Sequence, residues 1–105
     1  MDINSLKSQF SKYKKDLLDL NKYMYENPEL GYQEIKSVNK ITKLIKKHTA
    51  DAKFKKFTDI PTAFTASINN KPRRENIAIC IEYDALPNVG HACGHNLISS
   101  IGLGA

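Results

Sequence analysis

At 105 residues, with 41% hydrophobic and 26% charged positions, this chain has the make-up of one small globular domain. Its formal charge of +5 raises the question of nucleic acid, yet the basic residues are scattered in doublets such as Lys14-Lys15, Lys46-Lys47, Lys55-Lys56 and Arg73-Arg74. No block of like charges and no interleaving of bases with stacking aromatics accompanies them, which argues against a nucleic-acid face.

Nor is a membrane partner expected, since no apolar run is long enough to span a bilayer. Met1-Asp2-Ile3-Asn4 opens without a basic and then apolar leader, so a cytoplasmic location is expected. The two cysteines make no disulfide framework. Cys80 falls in an apolar stretch and is expected to be a buried core residue; Cys93 falls in a loop rich in glycine and histidine.

In chain order, Leu6, Phe10, Tyr13, Leu17, Leu20 and Met24 are spaced 4, 3, 4, 3 and 4 residues apart, one stripe of a helix from about Asn4 to about Tyr25. Asp2 or Asn4 can cap its first turn. Pro28 biases Asn27 away from helical geometry, so the helix should end there. Asn27-Pro28-Glu29-Leu30-Gly31 is then a turn into a second helix, about Gln33 to about Lys47, that buries Ile35, Val38, Ile41 or Thr42, and Ile45. Glu34 is a candidate cap for this helix. His48, at its end, is expected to be a solvated cap-region residue rather than a ligand.

Beyond Asp51 the period alternates. Ala52 to Phe57 gives a weak strand signal and Thr62 to Ile68 a stronger one, rich in β-branched and aromatic residues. Asn69-Asn70-Lys71-Pro72 should turn the chain into a hairpin with the next strand, Asn76 to Tyr83. That strand is apolar on both faces for five residues, as a central strand covered on both sides would be. A last helix of small residues is expected from Asn96 to Ala105. The fold class is α/β: the N-terminal portion of a layered domain, with two helices, a partly built sheet and the start of a further helix.

The chemistry gathers in Glu82-Tyr83-Asp84-Ala85-Leu86-Pro87-Asn88-Val89-Gly90-His91-Ala92-Cys93-Gly94-His95-Asn96, where fifteen residues carry two acids, two histidines and a cysteine. In α/β sheets, functional groups collect where strands give way to loops at their carboxyl ends. Alternation puts Glu82 and Asp84 on one side of the chain, and Pro87, Gly90 and Gly94 bend the backbone so that separated side chains can converge. A thiolate and an imidazole flanking one glycine, as Cys93 and His95 do, can reach one metal or two adjacent ones. Zinc takes thiolate sulfur at roughly 2.3 Å and imidazole nitrogen at roughly 2.0–2.1 Å. An acid such as Asp84 can hold the bound imidazole in the needed tautomer.

Glu-Tyr-Asp-Ala-Leu-Pro-x-x-Gly-His-Ala-Cys-Gly-His-Asn resembles the signature of the amidohydrolase branch of the aminoacylase/carboxypeptidase-type zinc metallopeptidases, which includes aminobenzoyl-glutamate hydrolases and N-acyl-amino-acid amidohydrolases. Asn27-Pro28-Glu29-Leu30-Gly31-Tyr32-Gln33-Glu34 resembles the same branch's turn between its first two helices. The two motifs stand in the right order, and the resemblance covers essentially the whole chain.

The resemblance implies that Cys93 and His95 are metal ligands, with the cysteine placed to bridge two ions. It also implies that Asp84 is a catalytic-site acid that orients a ligand and tunes the site. His91 would support the site from behind the ligands. Related branches carry a ligand histidine at the position of Glu82, so no direct metal role is expected of this glutamate. The implied cofactor is a divalent metal, zinc first, as two ions in the intact parent; manganese or cobalt are alternatives.

Implied with these is hydrolysis of an amide in a small-molecule N-acyl amino acid or dipeptide-like substrate by metal-activated water. Family members are several times longer. A general-base glutamate, further ligands and a small dimerisation domain, through which the full-length parent could form a homodimer, would follow Ala105. The rival expectation is a truncated, catalytically silent fragment that binds only metal weakly or a partner.

Overall fold

The computed structural model describes residues 2–68 and 75–105. Their elements are three helices and a two-stranded antiparallel sheet, so the mixed α/β class expected from the sequence is borne out. The first helix, α1, spans Ile3–Glu26. Asp2 caps it by accepting the Ser5 N–H at 2.7 Å, which satisfies one of the first turn's free donors. Asn27 leaves helical geometry at φ −129°, ψ 62°, the departure that the following proline imposes. Its Nδ2 donates back to the Tyr23 carbonyl at 2.9 Å.

Only the C-terminal half of the apolar stripe is buried. Leu17, Leu20 and Met24 are in the core, whereas Leu6 and Phe10 are exposed. The second helix, α2, spans Ile35–His48 and buries Ser37, Val38 and Ile41. Ile35, expected inside, is exposed.

Its cap is not the expected one. Glu34 sits at the N-cap position, yet its side chain makes no capping hydrogen bond. Glu29, from the preceding corner, does the work instead. Its carboxylate accepts from the Lys36 N–H at 2.9 Å, the Ser37 N–H at 2.7 Å and the Ser37 hydroxyl at 2.8 Å. A negative group on the free N–H groups of a helix start is favourable both as hydrogen bonding and against the helix dipole.

At the other end of α2, His48 is an exposed residue, as expected, but it is not free. Its Nε2 lies 2.7 Å from Asp16 Oδ2, which also accepts from Lys47 Nζ at 2.7 Å. The imidazole meets the Tyr13 ring edge-on at 4.8 Å. Hydrogen bonds from Lys47 and His48 hold the Asp16 carboxyl below its ordinary range, tying α1 to α2 at the surface.

The first strand, β1, spans Lys53–Lys56, and the second, β2, spans Phe64–Ser67. They pair antiparallel with Lys53 opposite Ser67 and Lys56 opposite Phe64. The expected hairpin of the second strand with residues 76–83 is not made: β2 pairs with β1. The turn predicted at Asn69-Asn70-Lys71-Pro72 lies outside the described residues.

Residues 76–83 form no strand among the described residues, which corrects the expectation of a covered central strand. Ile77 is 94% exposed, Ile79 is exposed, and Cys80 is an exposed free thiol rather than a core residue. The physical reason is that two-sided apolar character calls for two covering layers and two ladder partners. Among the described residues, the exposed part of the stretch has no ladder partner, and the last helix, α3, spanning His95–Gly104, lies beside it. A Cβ built at Gly102 of α3 would stand 2.6 Å from Ile81 Cγ2 and 3.3 Å from Ile79 Cγ2.

Toward its C-terminal end the stretch does reach the interior. Ile81 and Tyr83 pack against a core of Leu20, Met24 and Ile41, together with Tyr23, Leu44, Ile45, Phe64 and Leu103. Helices, sheet and the 81–83 segment therefore share one core, and the residues after Tyr83 leave from its edge.

Candidate functional site

The two motifs that the sequence keeps some fifty residues apart are one unit in space. Leu30 and Ala85 form a parallel bridge, and the Ala85 N–H donates to the Glu29 carbonyl at 2.7 Å. Leu86 and Gly90 close the turn between them by exchanging hydrogen bonds of 2.9 and 3.2 Å. Inside that turn Asn88 takes φ 66° and Gly90 φ 63°, the left-handed region that asparagine and glycine tolerate best. Pro28 fills the space beside Gly90, its Cγ 3.7 Å from where a Cβ would stand. The corner Pro28–Leu30 is thus the platform on which the 84–90 loop is built.

Gly94, at φ 76°, turns the chain left-handed immediately before α3 and becomes its N-cap residue. His95 is therefore the first residue of a helix whose body is fixed to α1. Asn96 Nδ2 donates to Asn21 Oδ1 at 2.8 Å, and the Ser99 hydroxyl donates to the Glu82 carbonyl. Those bonds set the imidazole of His95 between two acids. Its Nδ1 lies 2.8 Å from Asp84 Oδ1 and 3.0 Å from the Asp84 carbonyl oxygen, and its Nε2 lies 3.1 Å from Glu82 Oε2. The alternation that puts Glu82 and Asp84 on one side of the chain is what lets them flank one ring.

His91 is 7% exposed, and neither ring nitrogen has a hydrogen-bond partner among the described residues. Burial lowers its pKa, and the nearby His95 lowers it further, against a smaller opposing pull from Asp84. Both His95 and Asp84 are thus near enough for their charges to act on this ring. Cys93 is an exposed free thiol on the intervening turn. Tyr83 anchors the start of the loop by donating its hydroxyl to the Thr62 carbonyl. Burial and the neighbouring Glu34 carboxylate push the phenol up to about 12. Glu34 itself is 7% exposed, with Oε2 unpartnered among the described residues.

Of the predicted site residues, Asp84 and His95 are in direct contact, and Glu82 joins them although no metal role was expected of it. Cys93 stands apart on the surface. Among the described residues, no group of three or more His, Cys, Asp and Glu side chains is arranged to hold an ion. The donor types nonetheless suit a divalent metal: an imidazole with Nδ1 held by a carboxylate, leaving Nε2 outward, is the usual support of a metal-binding histidine, and a thiol lies two residues away. The residues present fit such an ion in kind and supply part of its shell.

Sequence reasoning missed Glu29, whose signal was an acid in the corner before a helix that opens without Ser, Thr, Asp or Asn. No helix among the described residues is long and apolar enough to cross a membrane.

No family model matches the chain. Curated relatives do. The chain is 36% identical over 93 residues to a Xaa-Arg dipeptidase of Mus musculus, and 33% identical over 96 residues to the Homo sapiens protein of the same name. Each match takes in 82% of this chain and 22% of the relative. An N-acetyldiaminopimelate deacetylase of Oenococcus oeni is 28% identical over 103 residues, 84% of this chain and 27% of the relative. The chain thus spans about a quarter of the length of these relatives. One group is named for cleaving a dipeptide and the other for removing an acetyl group, so both are hydrolases of the branch that the motifs resemble, and the resemblance is borne out.

Proposed function

From a chain whose relatives lie in the amidohydrolase branch of the aminoacylase/carboxypeptidase-type metallopeptidases, we propose the N-terminal part of the catalytic domain of a metal-dependent amidohydrolase. Its substrate is an amide of an N-acyl amino acid or a dipeptide-like molecule. The remaining ligands, a general-base glutamate and a dimerisation domain belong to a longer enzyme. The low coverage of the relatives supports that view. A cytoplasmic setting, where thiols stay reduced, suits a Cys93 ligand.

The observation that carries the reading is the Asp84–His95 contact of 2.8 Å at Nδ1, within two residues of a thiol. Asp84 orients the ring and raises the basicity of the outward nitrogen. His95 Nε2 and Cys93 Sγ are the atoms that would hold the ion, zinc first among manganese and cobalt. Such an ion, when bound, lowers the pKa of a coordinated water to about 7 and polarises the carbonyl to be attacked. The Pro28–Leu30 corner and α3 keep the loop in shape for this.

The test is hydrolysis of a panel of N-acetyl amino acids and Xaa-Arg dipeptides by the full-length protein. Activity should collapse in both Cys93→Ser and His95→Ala. Unchanged hydrolysis in both variants would sink the proposal, and so would an inactive wild type that binds no divalent ion.

A further inference from the structure

We infer that the groove between α1 and α2 is a docking face for an acidic, amphipathic segment of a partner protein, held by Lys36, Lys40 and Lys43. The face shares no residue with the proposed metal site and is independent of the hydrolytic reading. Along the sequence these lysines are separated by other residues, and it is the helix that gathers them. At 3.6 residues per turn, Lys36, Lys40, Lys43 and Lys47 fall within roughly 60° of arc and about 16 Å of axis. All four are exposed. The 14 residues of α2 hold five lysines and no acid. The fifth, Lys46, turns aside, its Nζ 5.1 Å from the centre of the Phe54 ring.

Three of these charges are uncompensated. Lys47 pairs with Asp16 at 2.7 Å, and Asp19, the other acid lining the groove, is taken by Lys15. Glu29, near the start of α2, is engaged by the Lys36 and Ser37 N–H groups and the Ser37 hydroxyl. Lys36, Lys40 and Lys43 make no ion pair among the described residues. Like charges three and four residues apart work against the helix that carries them. An anionic partner turns that repulsion into attraction.

Beside the lysines the groove is apolar. Leu20, Tyr23 and Leu44 line it together with Lys40, Lys43 and Lys47, and it continues past Tyr23 to Lys36. Its volume of about 270 Å³ is below the roughly 300–1,000 Å³ of a small-molecule pocket. Side chains of a segment laid across it suit it better than an enclosed ligand does.

The same features choose between anionic partners. Single-stranded nucleic acid needs open aromatic faces on which bases stack. The ring lining this groove, Tyr23, is covered by Lys40, with Nζ 4.4 Å from its centre. An apolar floor beside a row of cations matches instead an amphipathic acidic helix, which lays its apolar anchors in a groove. Carboxylates at i, i+4 and i+7 of such a helix repeat the spacing of Lys36, Lys40 and Lys43.

The experiment is fluorescence anisotropy on the full-length protein with a labelled helical peptide carrying Glu at i, i+4 and i+7 and Leu on the adjoining stripe. The same peptide with Gln for Glu, and an oligothymidylate, are run in parallel. The wild type should bind the Glu peptide, lose it at about 0.5 M salt, and leave the Gln peptide free. The variant Lys36→Gln/Lys40→Gln/Lys43→Gln should bind at least about tenfold more weakly, from the loss of three charge contacts. Lys7→Gln/Lys12→Gln/Lys14→Gln, which removes the same charge from α1 outside the groove, should bind as the wild type does.

No binding by the wild type would overturn the inference, as would equal affinity in the wild type and the groove variant. An equal loss in the α1 variant would mean unspecific charge attraction and reject the groove. Tighter binding of the oligothymidylate than of the Glu peptide, lost in the groove variant, would make this a nucleic-acid face instead. Far-UV circular dichroism checks the fold. Should the groove variant lose helix, the wild type alone decides, since equal binding of the Glu and Gln peptides would refute the role of the lysines.

Discussion

Two neighbouring stretches of this chain behave in opposite ways. Residues 84–95 are polar and glycine-rich, and they are held by local hydrogen bonds. Residues 76–80 are the most apolar run in the sequence, and they lie exposed. The difference lies in where each finds its partners. The loop satisfies its backbone locally, on the Glu29 carbonyl, across the Leu86–Gly90 turn, and from Asp84 to His95. A strand apolar on both faces depends on ladders and layers supplied by other segments, and among the described residues this stretch has α3 beside it but no ladder partner. Polar residues with near partners can thus be better satisfied than hydrophobic residues without them.

The largest break in that contrast should come at the corner beneath the loop. Glu29→Ala leaves the Lys36 and Ser37 N–H groups and a fully buried Ser37 hydroxyl without their acceptor. A loss of about 2–3 kcal/mol in urea-unfolding stability is expected, from lost charge-assisted bonds and an unsatisfied buried donor. Asp84→Asn, which weakens the hold on His95 Nδ1, should lower divalent-metal affinity by about 10- to 100-fold with little change in stability.

Next in size is Gly102→Ala. The added methyl would stand 2.6 Å from Ile81 Cγ2. Overpacking of about 1–3 kcal/mol should outweigh the gain in helix propensity of roughly 1 kcal/mol. A stabilised variant would mean that residues 79–81 do not lie on α3. Smallest of all is Ile77→Ser, at a side chain 94% exposed, which should change stability by no more than about 0.5 kcal/mol. A loss of several kcal/mol in a thermal melt would show that this residue is buried in solution and would erase the contrast.

The same distinction explains what the sequence made legible. All three helices lie within one or two residues of where period, capping and the Pro28 break put them, because those signals act within a few residues of themselves. Asp84 and His95 could be named together since one short loop carries both. The partner of β2 could not, because alternation at Thr62 to Ile68 says that the segment pairs but not with what. Cys80 and Ile77 look like core residues by composition. Their exposure follows from which segments lie beside them, and a one-dimensional pattern does not contain that. Glu29 as the cap of α2 was hidden for a related reason, since a side chain reaching seven or eight residues ahead follows no periodic rule.

An ion held by His95 and Cys93 is the centre of the proposed chemistry, and the most direct measurement is metal content. The full-length protein would be loaded with zinc, dialysed and assayed by elemental analysis, beside His95→Ala and Cys93→Ser prepared in parallel. Retention of zinc by the wild type in a fixed ratio to protein, with clear loss in both variants, is the predicted result. Equal zinc in all three proteins, or none in the wild type, would contradict it.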